Sequence, residues 1–303
     1  MRKRVFVAAA ILGLILWLVS RFLQPAPGRT NLLVLGVAGQ NQAGSDLTDT
    51  IMFVSLDNQT GKTLLLSLPR DIWVPALRTK LNSVYHYRGA GETKKIVGEI
   101  LGQPVTYEVM IDFTVFKKVV DSLGGVTVEV QNAFDDDKYP LPGKENDLCG
   151  GDKDFKCRYE HVRFEAGQQK MDGETALKYV RSRNAEGDEG TDFARSQRQQ
   201  RLILALKSKI LSPRFLLNPQ RVWQFIKVVQ ESIQTDIPQD QFLTLAKIAL
   251  RIRSQKITTA VLNGGYLINP PASAKYDQQW VLVPQTGDWQ AAQGYVRGLL
   301  EKK

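Results

Sequence analysis

The chain has 303 residues, 43% hydrophobic and 23% charged, with a formal net charge of +9 at pH 7. That is enough apolar material for a folded core, and it excludes a disordered or collagen-like chain. The positive excess invites a nucleic-acid partner, but there is no basic stripe with interleaved aromatics, no C-x-x-C pair and no helix-turn-helix pattern, so nucleic acid is not expected.

Arg2, Lys3 and Arg4 precede an apolar run, Val5 to Leu23, whose only charge is Arg21. The run is about long enough to cross a bilayer. No small-residue A-x-A site comes before "QPAPGRT", so it reads as an uncleaved signal-anchor rather than a cleaved signal peptide. The positive-inside rule makes residues 1–4 a cytoplasmic tail and exports the chain beyond the span. Residues 5–23 are then the transmembrane anchor and 24–30 a linker carrying Pro25, Pro27 and Gly28. Residues 31–303 form one extracytoplasmic domain on a single-pass protein of the cytoplasmic membrane.

"NLLVLGV" (31–37), "TIMFVSL" (50–56) and "TLLLSLP" (63–69) are short, apolar and partly β-branched, as buried strands are. "DNQTGK" supplies the hairpin turn between the last two. "GKT" at 61–63 tempts a P-loop reading, but Leu56 occupies the position of the first Gly. The loop "GVAGQNQAGSDLTDT" contains Gly36, Gly39 and Gly44, which let backbone N–H groups approach an anion, and Asp46 and Asp49, which can hold a hard cation. Arg70 and Asp71 come directly after the third strand, at its carboxyl end, where open α/β sheets bind ligands.

Helical spacing appears at 91–101 and 113–123, with a strand at 107–112 between them, and "GGVTVEV" stops a helix and starts a strand. Cys149 and Cys157, the only cysteines, lie in the polar insertion "PLPGKENDLCGGDKDFKCRYE". Outside the cytoplasm two nearby thiols can form a disulfide. Unpaired thiols or a metal contact are the alternatives, although two Cys with His161 match no familiar zinc spacing.

"MDGETALKYV" predicts a short helix and "TDFARSQRQQRLILALKSKIL" a long one, with Thr191 or Asp192 capping its start. Next come helices at about 214–230 and 239–252, then strands at "KITTAVL" and "WVLVP" and a helix from Asp288 to the end. Alternating strands and helices predict a single α/β domain with helices on both faces of a sheet.

Helical geometry places Asp192, Arg195 and Gln199 on one face of the long helix, with Arg198 one turn from Arg195. Arg181 and Arg183, two apart, share one side if the segment is extended. A salt-bridged surface explains any one of these groups alone. Together they suit a diphosphate with a bridging divalent ion, because guanidinium groups bind phosphate bidentately and stay charged. No G-x-S-x-G or H-E-x-x-H motif is present, so a covalent hydrolase is not expected.

"NLLVLG", "LTDTIMF", "LLLSLPRDIWV", "KLNSVY", "GGVTVEV", "MDGETALKYVRSR" and "DFARSQRQQ", in this order over residues 31–210, resemble the LytR-CpsA-Psr proteins of bacterial envelopes. The resemblance implies an αβα sandwich with a central mixed sheet flanked by helices, preceded by one N-terminal transmembrane helix. It implies a phosphotransferase of cell wall biogenesis. Such an enzyme moves a glycopolymer with its linking phosphate from a polyprenyl (undecaprenyl) diphosphate carrier to a wall acceptor hydroxyl, commonly on peptidoglycan. A hydrophobic pocket would take the lipid tail.

By the same resemblance Asp49 is a ligand of Mg²⁺ or Mn²⁺, and Arg70, Asn82, Arg181, Arg183, Arg195, Arg198 and Gln199 contact the diphosphate. Asp71 would orient Arg70, and Asp192 would orient Arg195 or take the acceptor's proton. The chain departs from the family after its first strand, where "GVAGQ" stands for an Asp-Arg pair and Leu47-Thr48 for Arg-Ser. Asp46 replacing the missing carboxylate, or an ion bound through more water, are the two ways to keep a metal.

Overall fold

A computed structural model describes residues 27–39, 45–252 and 256–301. Among these no helix is long and apolar enough to cross a membrane. The expected anchor at 5–23, and Gly44, lie outside the described residues.

Strands β1 (Arg29–Val37), β2 (Thr48–Asp57) and β3 (Thr63–Ser67) form an antiparallel meander. The β2–β3 turn is closed by the Asp57 carboxylate, which accepts the backbone N–H groups of Gln59 and Thr60 at 3.1 and 2.7 Å. Short strands β4 (Trp73–Val74) and β5 (Thr79–Lys80) lead into helix α1 (Leu81–Leu101). This helix begins ten residues before the expected 91–101, because Gly89, at φ 71°, kinks it and breaks the apolar period there.

Strand β6 (Tyr107–Asp112) lies parallel to β1 and runs straight into α2 (Phe113–Ser122), whose first turn is capped by Asp112 accepting the Val115 N–H at 2.7 Å. Then β7 (Val126–Val130), β8 (Phe134–Pro140), β9 (Tyr159–Phe164) and β10 (Gly167–Met171) form two antiparallel pairs, β7 with β10 and β8 with β9. They enclose a second core of Val126, Val128, Phe134, Tyr139, Phe164 and Tyr179. The β8–β9 hairpin presents the polar insertion, in which Cys149 and Cys157 are joined by a disulfide.

Helices α3 (Gly173–Arg181) and α4 (Asp192–Ile210) come next, then the single turn α5 (Pro213–Leu216), α6 (Pro219–Ser232) and α7 (Phe242–Arg251). Strand β11 (Gln234–Thr235) pairs antiparallel with β6, and β12 (Ile257–Val261) pairs parallel with β3. The six-stranded sheet therefore has the order β11-β6-β1-β2-β3-β12. The expected strand at 280–284 shortens to β14 (Val283–Pro284), paired with β13 (Leu267–Ile268), since Leu282 instead bridges to Ile72. Helix α8 (Gln290–Glu301) ends the described chain.

Alternation along the strands decides which face does what. Leu33 and Leu35, Ile51 and Phe53, Leu64 and Leu66 point to one face and pack against Val97, Leu101, Val296 and Leu299 of α1 and α8. Their neighbours Val34, Thr50, Met52 and Ser67 point to the other, where α4 crosses and a cavity opens. The sheet is thus mixed and flanked by helices on both faces.

Candidate active site

The cavity on the α4 side has a volume of about 250 Å³. Part of its lining is apolar, from Val34, Met52, Phe113, Phe116, Leu202 and Leu206, and part is polar, from Asp49, Arg70, Arg181, Arg183, Arg195 and Gln199. The α4 helix supplies both parts. Arg195 and Gln199 lie at its start, and Leu202 and Leu206 continue the same stripe at three- and four-residue spacing. Thr191 fixes that start by accepting the Ala194 N–H at 3.1 Å.

Gly36 lets the lining close up. A Cβ there would lie 2.9 Å from the Cβ of Thr50, its partner across the β1–β2 ladder. Gln199 in turn donates to the Thr50 hydroxyl at 2.9 Å. The close approach of the Thr50 side chain to the backbone is thus one reason for a glycine here.

Arg70 donates to Asp49 at 2.5 Å and lies 3.6 Å from Asp71, which is also held by Lys80 at 2.8 Å. Burial acts to lower the Arg70 pKa, but Asp49, with Asp71 and Asp192, outweighs it and raises it. Arg195 is the reverse case. It is 8% exposed, and burial, aided by the charges of Arg70 and Arg183, lowers its pKa against the pull of Asp192 and Asp49. Among the described residues the Nε atoms of both Arg70 and Arg195 are buried without a hydrogen-bond partner. Such groups are costly in a folded protein unless a ligand or water completes them.

Arg181 is the last residue of α3, not part of an extended segment. It still faces the cavity with Arg183, because the chain leaves the helix at Ser182. Its guanidinium stacks 4.1 Å from the Phe113 ring centroid and donates to the Tyr139 hydroxyl at 3.1 Å. Burial pushes the Tyr139 hydroxyl up to about 12 despite Arg181 beside it, so it remains an un-ionised partner. Arg183 is placed through its backbone. The fully buried Asp136 accepts the N–H groups of Arg183 and Asn184 at 3.1 and 3.2 Å.

Three expected site residues lie elsewhere. Arg198 is fully buried and does not line this cavity; it donates to Glu189 Oε2 at 2.6 Å, to the Glu189 carbonyl at 2.9 Å and to the Ser182 carbonyl, and stacks on Phe134. Its helix position, about 60° around from Arg195, turns it into the second core. Asn82 donates its backbone N–H to the Arg70 carbonyl at 3.0 Å, and its side chain does not line the cavity. Asp46, in the turn before β2, faces His86 at 3.5 Å rather than joining Asp49.

Asp112, Tyr139 and Asp136 are site residues that sequence reasoning missed. The first lines the cavity together with Asp49. Its position at the junction of a strand and an apolar helix was the available signal. The arrangement as a whole suits an amphiphile with an anionic head and an apolar tail.

The profile of the LytR_cpsA_psr family matches residues 21–292. Over 255 residues the chain is 29% identical to the polyisoprenyl-teichoic acid–peptidoglycan teichoic acid transferase TagV of Bacillus subtilis, a match covering 81% of this chain and 59% of TagV. To the transferase of the same description, TagU of Enterococcus faecalis, it is 26% identical over 258 residues, covering 82% of this chain and 75% of TagU. The chain thus spans less than two thirds of the length of TagV. The crystal structure of B. subtilis TagV shares its fold with a TM-score of 0.65 at 24% identity, covering 92% of this chain and 99% of that one. The profile match runs from before β1 into α8 and takes in every residue lining the cavity, and the chain belongs to the LytR_cpsA_psr family.

Proposed function

We propose that this chain is a membrane-anchored phosphotransferase of the bacterial envelope. It moves a glycopolymer with its linking phosphate from a polyprenyl diphosphate carrier to a wall acceptor hydroxyl such as that of peptidoglycan. One observation carries the reading: Arg70, Arg181, Arg183 and Arg195 line one cavity together with apolar side chains. The activity printed in the names of TagV and TagU agrees with it. The apolar run at residues 5–23 and the Cys149–Cys157 disulfide suit a domain held outside the cytoplasm.

The tail packs among Phe113, Phe116, Leu202 and Leu206, and the guanidinium groups neutralise the diphosphate. Catalysis is then positioning and charge stabilisation, with no protein nucleophile. Each charge-assisted hydrogen bond adds about 1.5–3 kcal/mol.

A divalent ion of this type needs one or two carboxylates, the rest of its shell coming from substrate phosphates and water. Asp49 and Asp112 fit that requirement. They line the same cavity, and at Gly39, with φ 90°, an added Cβ would come within 3.3 Å of the Asp112 carboxyl carbon. Bound Mg²⁺ or Mn²⁺ supplies charge neutralisation at the phosphoryl oxygens.

Purified full chain, given a polyprenyl-diphosphate glycopolymer and a glycan acceptor, tests the proposal. Arg183→Ala is expected to cut transfer about 10²-fold, near 2.7 kcal/mol, with an unchanged melting temperature, because its side chain is exposed. Normal turnover in that variant sinks the assignment. Phosphate release without a transfer product would make the chain a pyrophosphatase instead.

A further inference from the structure

A second cavity, of about 150 Å³, shares part of its lining with the first. Asp49, Thr50, Arg70, Arg195 and Gln199 line both, so two guanidinium groups are shared by two adjoining chambers. The chambers differ in chemistry. The first has Arg181 and Arg183 and several apolar side chains, whereas the second has Asp71, Asp192, Ser196 and Asn263. On the second chamber's rim are two exposed aromatics, Trp280 at 57% and Phe193 at 46%.

This rim is built by the C-terminal part of the chain. Leu282 donates its N–H to the Asp71 carbonyl at 2.9 Å and accepts from Trp73 at 2.8 Å, and the Asn269 side chain donates to the Val281 carbonyl at 2.7 Å. These bonds hold Trp280 next to the Arg70–Asp71 segment although 209 positions separate Trp280 from Asp71 in sequence.

We infer that the second chamber is the acceptor subsite and that its ligand is a carbohydrate chain, read against Trp280 and Phe193. The inference rests on the proposed transfer reaction for its role, but not for the binding itself. A pyranose offers an apolar C–H face for an aromatic ring and hydroxyls for carboxylate, amide and hydroxyl partners. A second polyanion is disfavoured, because Asp71 and Asp192 face that side and no arginine is added to the two shared ones. The buried Arg195 Nε, unpartnered among the described residues, belongs to a side chain that lines both chambers, so a phosphoryl oxygen bonded to it would sit between donor and acceptor.

In this geometry the acceptor oxygen forms a new P–O bond to the phosphorus nearer the glycopolymer. The bridging P–O–P bond breaks on that side, and the bridging oxygen leaves with polyprenyl phosphate. The hydroxyl proton passes to the Asp192 carboxylate and on to water. Asp192 lines only the second chamber and is open to solvent, whereas Asp71 is occupied by Lys80 and Arg70.

Full chain in detergent micelles, titrated with a soluble neutral tetrasaccharide of N-acetylglucosamine, tests the assignment by calorimetry and Trp emission. Saturable binding is expected to weaken about three- to tenfold in Trp280→Ala. Trp280→Phe should recover part of the affinity while abolishing the emission change. Affinity for a polyprenyl diphosphate should stay unchanged in Trp280→Ala and fall in Arg183→Ala. Absence of saturable sugar binding, or binding indifferent to Trp280→Ala, overturns the subsite. If only the diphosphate arm fails, the donor reading falls and the sugar subsite stands.

Discussion

Replacing Arg195 by Met separates function from stability. The guanidinium is 8% exposed, its Nε has no partner among the described residues, and its one ion pair is to Asp192 at 3.3 Å. An unpaired buried donor costs about 1–3 kcal/mol, and Arg70 and Arg183 add repulsion. Breaking a buried pair normally leaves a stranded charge, but Asp192 has a 56% exposed side chain and stays solvated. Met keeps most of the apolar stem. The expected result is a gain of about 1–2 kcal/mol, which at about 2–4 °C per kcal/mol for a domain of this size raises Tm by roughly 2–8 °C. Transfer should fall at least about 10²-fold, since the lost bonds address the phosphoryl groups. Differential scanning calorimetry and a transfer assay on the same preparation decide the matter. A lower Tm in Arg195→Met would mean that Arg195 holds the fold and that its placement for a ligand is misread.

Arg198→Ala should behave in the opposite way, losing about 3–5 kcal/mol because Glu189 and the Ser182 carbonyl lose their partner, measured as a drop in Tm or as insoluble expression. Glu108 is 7% exposed with one carboxylate oxygen unpartnered among the described residues. Burial, then Asp236, raises its pKa against Lys94. The folded state thus binds the proton more tightly, so stability falls as pH rises from the ordinary Glu pKa of about 4.3 through the raised folded value. Glu108→Gln should therefore melt higher than wild type at pH 7 by about 1 kcal/mol, with the advantage vanishing near pH 4 in parallel melts. Opening the Cys149–Cys157 disulfide, which closes a loop with a sequence separation of 8, removes at most about 2.5 kcal/mol. Since the loop tips a hairpin, the expected readout is faster proteolysis between residues 141 and 158 with the cavity arginines still able to bind.

Much of the sheet was legible because its strands are short apolar runs between turn residues, and β1, β2, β3 and β6 lie where the period placed them. The β8–β9 hairpin was not. Its buried positions, Phe134, Asp136 and Tyr139, are split by a register shift, and one of them is a carboxylate. Of the arginines, those at a strand end or on the apolar stripe of α4 do face the cavity. Arg198 shows the limit of helical spacing, which says that two residues are neighbours but not which of them faces a core. The second chamber was invisible for another reason: Trp280 reaches it through the backbone bonds of Leu282 to Asp71 and Trp73, and Asn263 through the pairing of β12 with β3, and no local pattern encodes such long-range contacts.

The most direct measurement is a crystal structure of the full chain with a polyprenyl diphosphate and Mg²⁺. Phosphoryl oxygens are expected within hydrogen-bond reach of Arg70, Arg183 and Arg195, with the isoprenoid tail between Phe116 and Leu206. A diphosphate bound elsewhere, with these guanidinium groups facing only water, would contradict the assignment.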